Sequence, residues 1–223
     1  MARQLPLDLE TPGRFSRDSF VANTALRDVL DVLLAPEGWV SPHLILQGAP
    51  GTGKTHLAHI FAAETGARLL RPGDSHALDL TALSGGYVVD DADQASEETL
   101  FHLSNYTQTF GHPLVLTTKL QPLAWNTALP DLASRLRAMR LIVLPEPDES
   151  LLRLVLKKLF EKRAIKPSPD TLDYLVLRME RSVAAAQKIV TELEHHADGR
   201  PFNKNLVRDV LEQTAPLFGD RDI

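Results

Sequence analysis

The chain has 223 residues, no cysteine and a formal net charge of −5. This length allows one α/β domain or a domain with a small second lobe. Without cysteine there are no disulfides and no thiolate metal sites, and the acidic balance argues against a protein that coats nucleic acid. No apolar stretch approaches a membrane span, and the N-terminus has no apolar signal region, so we expect a cytoplasmic protein that contacts no membrane.

The first part of the chain divides into an extension and a helix. Residues 1–14 combine a few leucines with prolines and acidic residues, which predicts a flexible tail rather than a packed element. Apolar side chains then recur at helical spacing from Thr24 to Leu33. This spacing predicts an amphipathic helix that ends before Pro36.

Residues 48–55 match the phosphate-binding pattern GxxxxGK[ST]. The positions that we expect to contact a nucleotide are Gly48, Pro50, Gly51, Thr52, Gly53, Lys54 and Thr55. An apolar strand precedes the loop, and a helix that ends at Gly66 follows it, so the helix N-terminus is aimed at anionic phosphate. Glycines let backbone N–H groups close around the phosphates, Lys54 supplies charge to them, and the Thr55 hydroxyl is suited to bind Mg²⁺.

Four more strands are predicted downstream of the loop, at residues 68–70, 87–91, 114–118 and 141–144. Because strands alternate with helical segments, the pattern predicts an α/β fold with a five-stranded parallel sheet covered on both faces. After residues 145–147, which contain two prolines, the pattern becomes entirely helical and predicts four amphipathic helices. We therefore divide the chain into the tail at 1–14, a nucleotide-binding α/β domain at 15–146 and a helical lid domain at 147–223.

Polar residues follow two of the predicted strands. Asp90 and Asp91 end an apolar strand, at the sheet edge where open α/β sheets bind ligands. Asp90 is suited to hold Mg²⁺ through water, and Asp91 to polarise an attacking water. Thr117 and Thr118 end the next strand. Two interpretations are open: one of their hydroxyls reaches the γ-phosphate, or the two β-branched residues only form the end of the strand.

Arg135 lies just before the fifth predicted strand, with Arg137 and Arg140 close by. An arginine delivered to the γ-phosphate of a neighbouring protein stabilises the charge that develops during hydrolysis. From spacing alone, a basic surface loop explains the three arginines equally well.

Together, the P-loop, the Val-Val-Asp-Asp strand, the Ala-Ser-Arg-Leu segment and the helical lobe resemble an AAA+ ATPase of the replication-initiator (DnaA) type. The resemblance covers roughly residues 15–215. It implies that Arg135 is an arginine finger, that Asp90 and Asp91 are the Walker B acids, and that Thr118 lies near the first sensor. Initiators of this type continue into a helix-turn-helix domain, which this sequence lacks, so we expect no sequence-specific DNA binding.

The N-terminal tail has the pattern QLxLxL, formed by Gln4, Leu5, Leu7 and Leu9. It resembles the motif that binds the sliding clamp (β subunit) of DNA polymerase as an extended peptide. In front of a DnaA-like module, the motif makes the whole chain similar to the DnaA regulatory inactivators, the Hda/HdaA family. The resemblance implies an AAA+ protein, usually bound to ADP, that docks on the clamp and promotes hydrolysis of ATP on DnaA. Arg135 would act in trans, re-initiation would be prevented, and the resemblance also allows a homodimer.

Two departures from the family pattern bear on the chain's own ATP hydrolysis. The second-sensor arginine would fall at Ala184, for which Arg181 is the substitute candidate, and Lys119 stands where the initiators usually have an acid. Both favour weak intrinsic turnover, with ADP or ATP and Mg²⁺ held as a structural ligand. The alternative is an AAA+ helicase loader or transposition-helper ATPase that binds single-stranded DNA and gives the tail motif no role.

Overall fold

The computed structural model describes residues 15–125, 127–197 and 202–214. The helices and strands are, in chain order, α1 Thr24–Leu33, β1 His43–Gln47, α2 Lys54–Thr65, β2 Arg68–Leu70, β3 Tyr87–Val89, α3 Glu97–Phe110, β4 Leu114–Thr118, α4 Pro130–Ala138, β5 Arg140–Val143, α5 Glu149–Glu161, α6 Pro169–Arg178, α7 Val183–Ala197 and α8 Lys204–Thr214. The five predicted strands are all present. Helix α4 is the element that the sequence pattern did not set apart.

The five strands form one sheet in the order β2-β3-β4-β1-β5, and every neighbouring pair is parallel. The prediction of an α/β fold with a five-stranded parallel sheet is therefore confirmed. Gln47 at the end of β1 is in register with Thr118 at the end of β4. Because the carboxyl ends of these central strands coincide, the loops that follow them meet at one edge of the sheet.

Each face of the sheet has its own apolar core. Leu46 packs into the core shared with α1 and α2, whereas Ile45, the residue before it, packs into the core under α3 and α4. This alternation follows from the two-residue period of a strand. The first core continues through buried Leu144 into helices α5 to α8, so the helical lobe packs against the side of the sheet that carries α2.

Side-chain caps define where several helices begin. Asn23 accepts a hydrogen bond from the Leu26 N–H, and Asp148 accepts one from the Leu151 N–H at 2.7 Å. Both satisfy N–H groups that have no partner within the helix. The Asp148 carboxylate is also close to the positive end of α5, and its bond to Leu151 lowers the pKa of this carboxyl. Four helices follow Asp148, as the pattern predicted.

Among the described residues, none of the helices has the length and apolar character needed to cross a membrane. The tail residues Gln4, Leu5, Leu7 and Leu9 lie outside the described residues, so the clamp-binding motif stays a prediction.

Candidate nucleotide-binding site

The P-loop connects β1 to α2 and is packed too closely for side chains at two of its glycines. A Cβ on Gly48 would lie 2.6 Å from Thr52 Oγ1, and one on Gly51 would lie 2.6 Å from Ser182 Cβ. Gly51 also has a φ of +77°, a conformation that side chains disfavour. The backbone at these two positions therefore lies closer to Thr52 and to Ser182, just before α7, than a residue with a side chain would allow.

Three further positions of the pattern shape the loop. Thr52 is buried, and its hydroxyl donates to the Ala49 carbonyl at 2.9 Å, which closes the turn. Gly53 has a φ of +100° and precedes the first residue of α2. Pro50 is exposed. The Gly48 N–H donates to the Thr118 carbonyl at 3.1 Å, so the start of the loop is anchored to β4.

Lys54 is a buried cation at the start of α2. Its Nζ donates to the carbonyl oxygens of Gly48 and Ala49 at 2.8 and 2.9 Å. Burial lowers the pKa of the ammonium, while the carboxylates of Asp91 and Asp90 act in the opposite direction. A buried cation that bonds to the backbone of a glycine-rich loop is the arrangement expected for binding phosphate.

Asp90 joins three elements at the sheet edge. The Thr55 hydroxyl of α2 donates to Asp90 Oδ2 at 2.9 Å, and the Thr117 hydroxyl of β4 donates to Asp90 Oδ1 at 2.5 Å. Carboxylate and hydroxyl oxygens are the ligands that Mg²⁺ prefers. The residue types and their closeness therefore fit the magnesium site that the sequence predicts for Thr55 and Asp90.

The two threonines at the end of β4 have different partners. Thr117 also accepts a hydrogen bond from the Asp91 N–H at 2.9 Å, so its hydroxyl bridges both acids. The Thr118 hydroxyl instead bonds to the backbone N–H and carbonyl of Leu120. Alternation along the strand thus gives Thr117 the contact with the acids, while the place expected for Thr118 near the phosphates stays a prediction.

Asp91 lies just beyond β3 with a φ of +45°, an uncommon conformation for a residue with a side chain. Its Oδ1 is 3.8 Å from the Nζ of Lys119. The predicted water-activating acid therefore faces a lysine from the turn after β4.

Arg135 and Arg181 each have a partner outside this cluster. Arg135 is on α4, and its guanidinium stacks over the Phe101 ring of α3 at 5.6 Å from the ring centre. Arg181 forms an exposed ion pair with Glu149 at 3.1 Å. The contact between the lid and the P-loop comes from the next residues, since the Val183 N–H donates to the Gly51 carbonyl at 3.1 Å.

A cavity of about 610 Å³ opens beside the P-loop. Its walls come from the segment before α1, the P-loop, α5 and α7, and they include Phe20, Thr52, His56, Leu159 and Gln187. The lining mixes apolar side chains with polar and basic ones, among them Lys158, Lys162 and Arg163, and the volume is in the range of small-molecule sites. Apart from Thr52 of the P-loop, the wall residues named above were not predicted from the sequence, because they come together only in the fold.

His56 is a wall residue that links this cavity to the segment before α1. Its Nε2 is 3.0 Å from the Ser16 carbonyl oxygen, and the rings of Phe15 and Phe20 meet the imidazole edge-on. Burial lowers the pKa of His56. Its position in the first turn of α2, two residues after Lys54, was the signal available in the sequence.

No protein-family model matches the chain. A segment is 42% identical over 72 residues to the Holliday junction branch migration complex subunit RuvB of Streptomyces avermitilis; it covers 30% of this chain and 20% of that protein. RuvB of Salinispora tropica is 41% identical over 81 residues, with 31% and 23% covered. The matched segment thus spans about a fifth of these curated relatives.

The fold itself is similar to solved structures over most of the chain. Domain III of the Thermotoga maritima replication initiation protein DnaA aligns with a TM-score of 0.74 at 16% identity, covering 90% of this chain and 97% of that chain. The Thermotoga maritima RuvB branch migration motor aligns with a TM-score of 0.69 at 21% identity, covering 89% and 71%. The chain has an AAA+ P-loop fold.

Proposed function

We propose that this chain is a regulatory AAA+ protein that docks on the DNA polymerase sliding clamp and stimulates hydrolysis of ATP bound to DnaA. Its own P-loop would hold ADP or ATP, with the Lys54 ammonium facing the phosphates and Thr55 and Asp90 holding Mg²⁺. The Mg²⁺ ion would neutralise phosphate charge. The nucleotide would keep the α/β part and the helical lobe in register, because α5 and α7 share the cavity with the P-loop.

The observation that carries the proposal is the place of Arg135 on α4. It packs on Phe101 of α3, and α3 and α4 cover the opposite face of the sheet from α2, the helix that follows the P-loop. An arginine in this position is available to a phosphate on another protein. Arg181, the substitute candidate for the second sensor, is paired with Glu149 on the surface. The likeness to DnaA domain III supports DnaA as the partner, since AAA+ modules of similar shape can pair.

The experiment is an assay of DnaA-bound ATP hydrolysis with this chain, in the presence or absence of DNA-loaded clamp. We expect stimulation that requires the clamp and that is lost in a Gln4→Ala, Leu5→Ala variant. The same variant should lose capture by immobilised clamp. Clamp binding that survives both substitutions would remove the reason for assigning the tail motif.

A second candidate is an AAA+ helicase loader, transposition helper or other DNA-processing ATPase. The observation that favours it is the local identity to RuvB, a branch migration subunit. This candidate predicts nucleotide-dependent binding to single-stranded or junction DNA and no effect of the tail substitutions. Fluorescence anisotropy with labelled single strands and four-way junctions separates the two candidates.

A further inference from the structure

The turn that follows β4 places a second lysine beside the nucleotide-binding cluster. Lys119 lies 3.8 Å from Asp91, and its charge also acts on Lys54, whose pKa it lowers. The backbone on either side of Lys119 is fixed, because the Thr118 hydroxyl bonds to both the N–H and the carbonyl of Leu120. The turn therefore holds the backbone from which the Lys119 side chain reaches Asp91.

Asp91 is held in an equally defined position. Its backbone has a φ of +45°, and its N–H donates to the buried Thr117 hydroxyl. Its side chain is about one-third exposed, at 34%, so a water molecule is able to reach the carboxylate. The neighbouring Asp90 has both oxygens bonded to threonine hydroxyls, which leaves Asp91 as the acid of the pair that is open to water.

Hydrolysis of ATP needs such a carboxylate to be free. A water oxygen bonds to the γ-phosphorus, the bond from that phosphorus to the β–γ bridging oxygen breaks, and the water proton passes to an acceptor. ADP and inorganic phosphate result. The acceptor must first orient the water by accepting its hydrogen bond. An ammonium group at the same carboxylate oxygen competes with that water.

We propose that Lys119 is a positioning residue that restrains Asp91, so that this chain keeps its own nucleotide instead of consuming it. The inference rests on the proposed function, because it assumes that ATP binds at the P-loop. It adds a cause for slow ATP turnover, because the ion pair with Lys119 occupies the Asp91 carboxylate that would activate the water. This chain would then keep its ATP bound, while DnaA hydrolyses the ATP that it carries.

The test compares Lys119→Met, which removes the charge, with Lys119→Arg, which keeps it. Lys157→Met is the matched control, because it removes a lysine–glutamate pair of 4.0 Å on α5. We expect Lys119→Met to raise the kcat for intrinsic ATP hydrolysis about 1.5- to fivefold, the range for an exposed ion pair. KM should be unchanged, and the arginine and control variants should match the original chain. An unchanged or lower kcat in Lys119→Met would overturn the inference.

Two further readouts exclude other roles for Lys119. If it contacted the γ-phosphate directly, Lys119→Met would weaken binding of a non-hydrolysable ATP analogue but not of ADP in calorimetry. We expect both affinities to stay within about twofold of the original, and a selective loss would overturn the inference. In an Asp91→Asn background the gain in kcat should vanish, and its persistence would show that Lys119 does not act through Asp91. If the unmodified chain bound no ADP at all, the proposed function would fail first.

Discussion

The nucleotide-binding edge and the surface around Arg135 differ in how their charged side chains are fixed. At the edge, the Asp90 carboxylate bonds to hydroxyls from two other elements, and the Lys54 ammonium bonds to two carbonyls of the loop. Arg135 rests on one aromatic ring, a contact worth about 0.5–1 kcal/mol at exposed sites. This difference agrees with the proposed function, in which the P-loop would hold the chain's own nucleotide and Arg135 would act on another protein.

The largest effect should come from Arg135→Ala. Removing an arginine finger costs about a thousandfold or more in hydrolysis rate, so stimulation of DnaA-bound ATP hydrolysis should be abolished. Affinity for ADP should not change, because Arg135 is on α4, on the opposite face of the sheet from the P-loop helix α2. Arg137→Ala on the same helix is the matched control. Loss of stimulation in the control, with Arg135→Ala still active, would assign the finger to Arg137.

The next effect should be on nucleotide binding. Lys54→Ala removes a charged donor from a buried site, and we expect ADP affinity measured by calorimetry to fall at least about tenfold. Lys157→Ala, which removes an exposed lysine of α5, should bind ADP like the original chain. Equal affinity in the Lys54 and Lys157 variants would contradict the assignment of the P-loop.

His43 predicts a pH dependence of stability on the α3 side of the sheet. It is buried at the start of β1 and hydrogen bonds with Thr107 at 2.9 Å. Burial and the charge of Arg135 lower the pKa of His43 from 6.5 to about 4. Between these values the unfolded chain binds a proton that the folded chain does not, so stability should fall as the pH drops from 6.5 towards 4.

The loss assigned to His43 should reach at most about 3 kcal/mol. To isolate this loss, the free energy of unfolding by denaturant is measured from pH 7 to pH 4 for the original chain and for His43→Gln. Glutamine keeps a polar group but does not titrate. The variant should lose less stability over this range. Parallel curves for the two proteins would contradict the assignment.

The smallest predicted effect distinguishes the two threonines of β4. Thr117→Val leaves the Asp91 N–H and an Asp90 oxygen without the hydroxyl, and should cost about 1–3 kcal/mol of unfolding free energy. Thr118→Val disturbs only the local turn at Leu120 and should cost less. Thermal unfolding of both variants, with and without ADP and Mg²⁺, measures the difference. A larger loss in Thr118→Val would show that the turn, not the bridge between the acids, is the more important contact.

The sequence predicted features formed by neighbouring residues better than contacts between residues that are far apart in the chain. The P-loop and the strand that ends at Asp90 are local patterns, and the alternation of strands and helices was enough to predict the parallel sheet. The choice between Thr117 and Thr118 depends on which way a strand faces, a one-residue distinction that two β-branched residues in succession do not reveal. Helix α4 buries only Leu132 and Leu136, which is a weak periodic signal. His56 acquires its place in the cavity wall through Phe15 and Phe20, more than thirty positions earlier in the chain.

The central claim is that the chain's own nucleotide site and Arg135 act on different ATP molecules. It is tested by loading DnaA with γ-labelled ATP, loading this chain with unlabelled nucleotide, and measuring labelled phosphate release on DNA-loaded clamp. The account predicts that Asp91→Asn stimulates release as well as the original chain does, and that Arg135→Ala does not stimulate it. Stimulation that disappears with Asp91→Asn and survives Arg135→Ala would contradict the account.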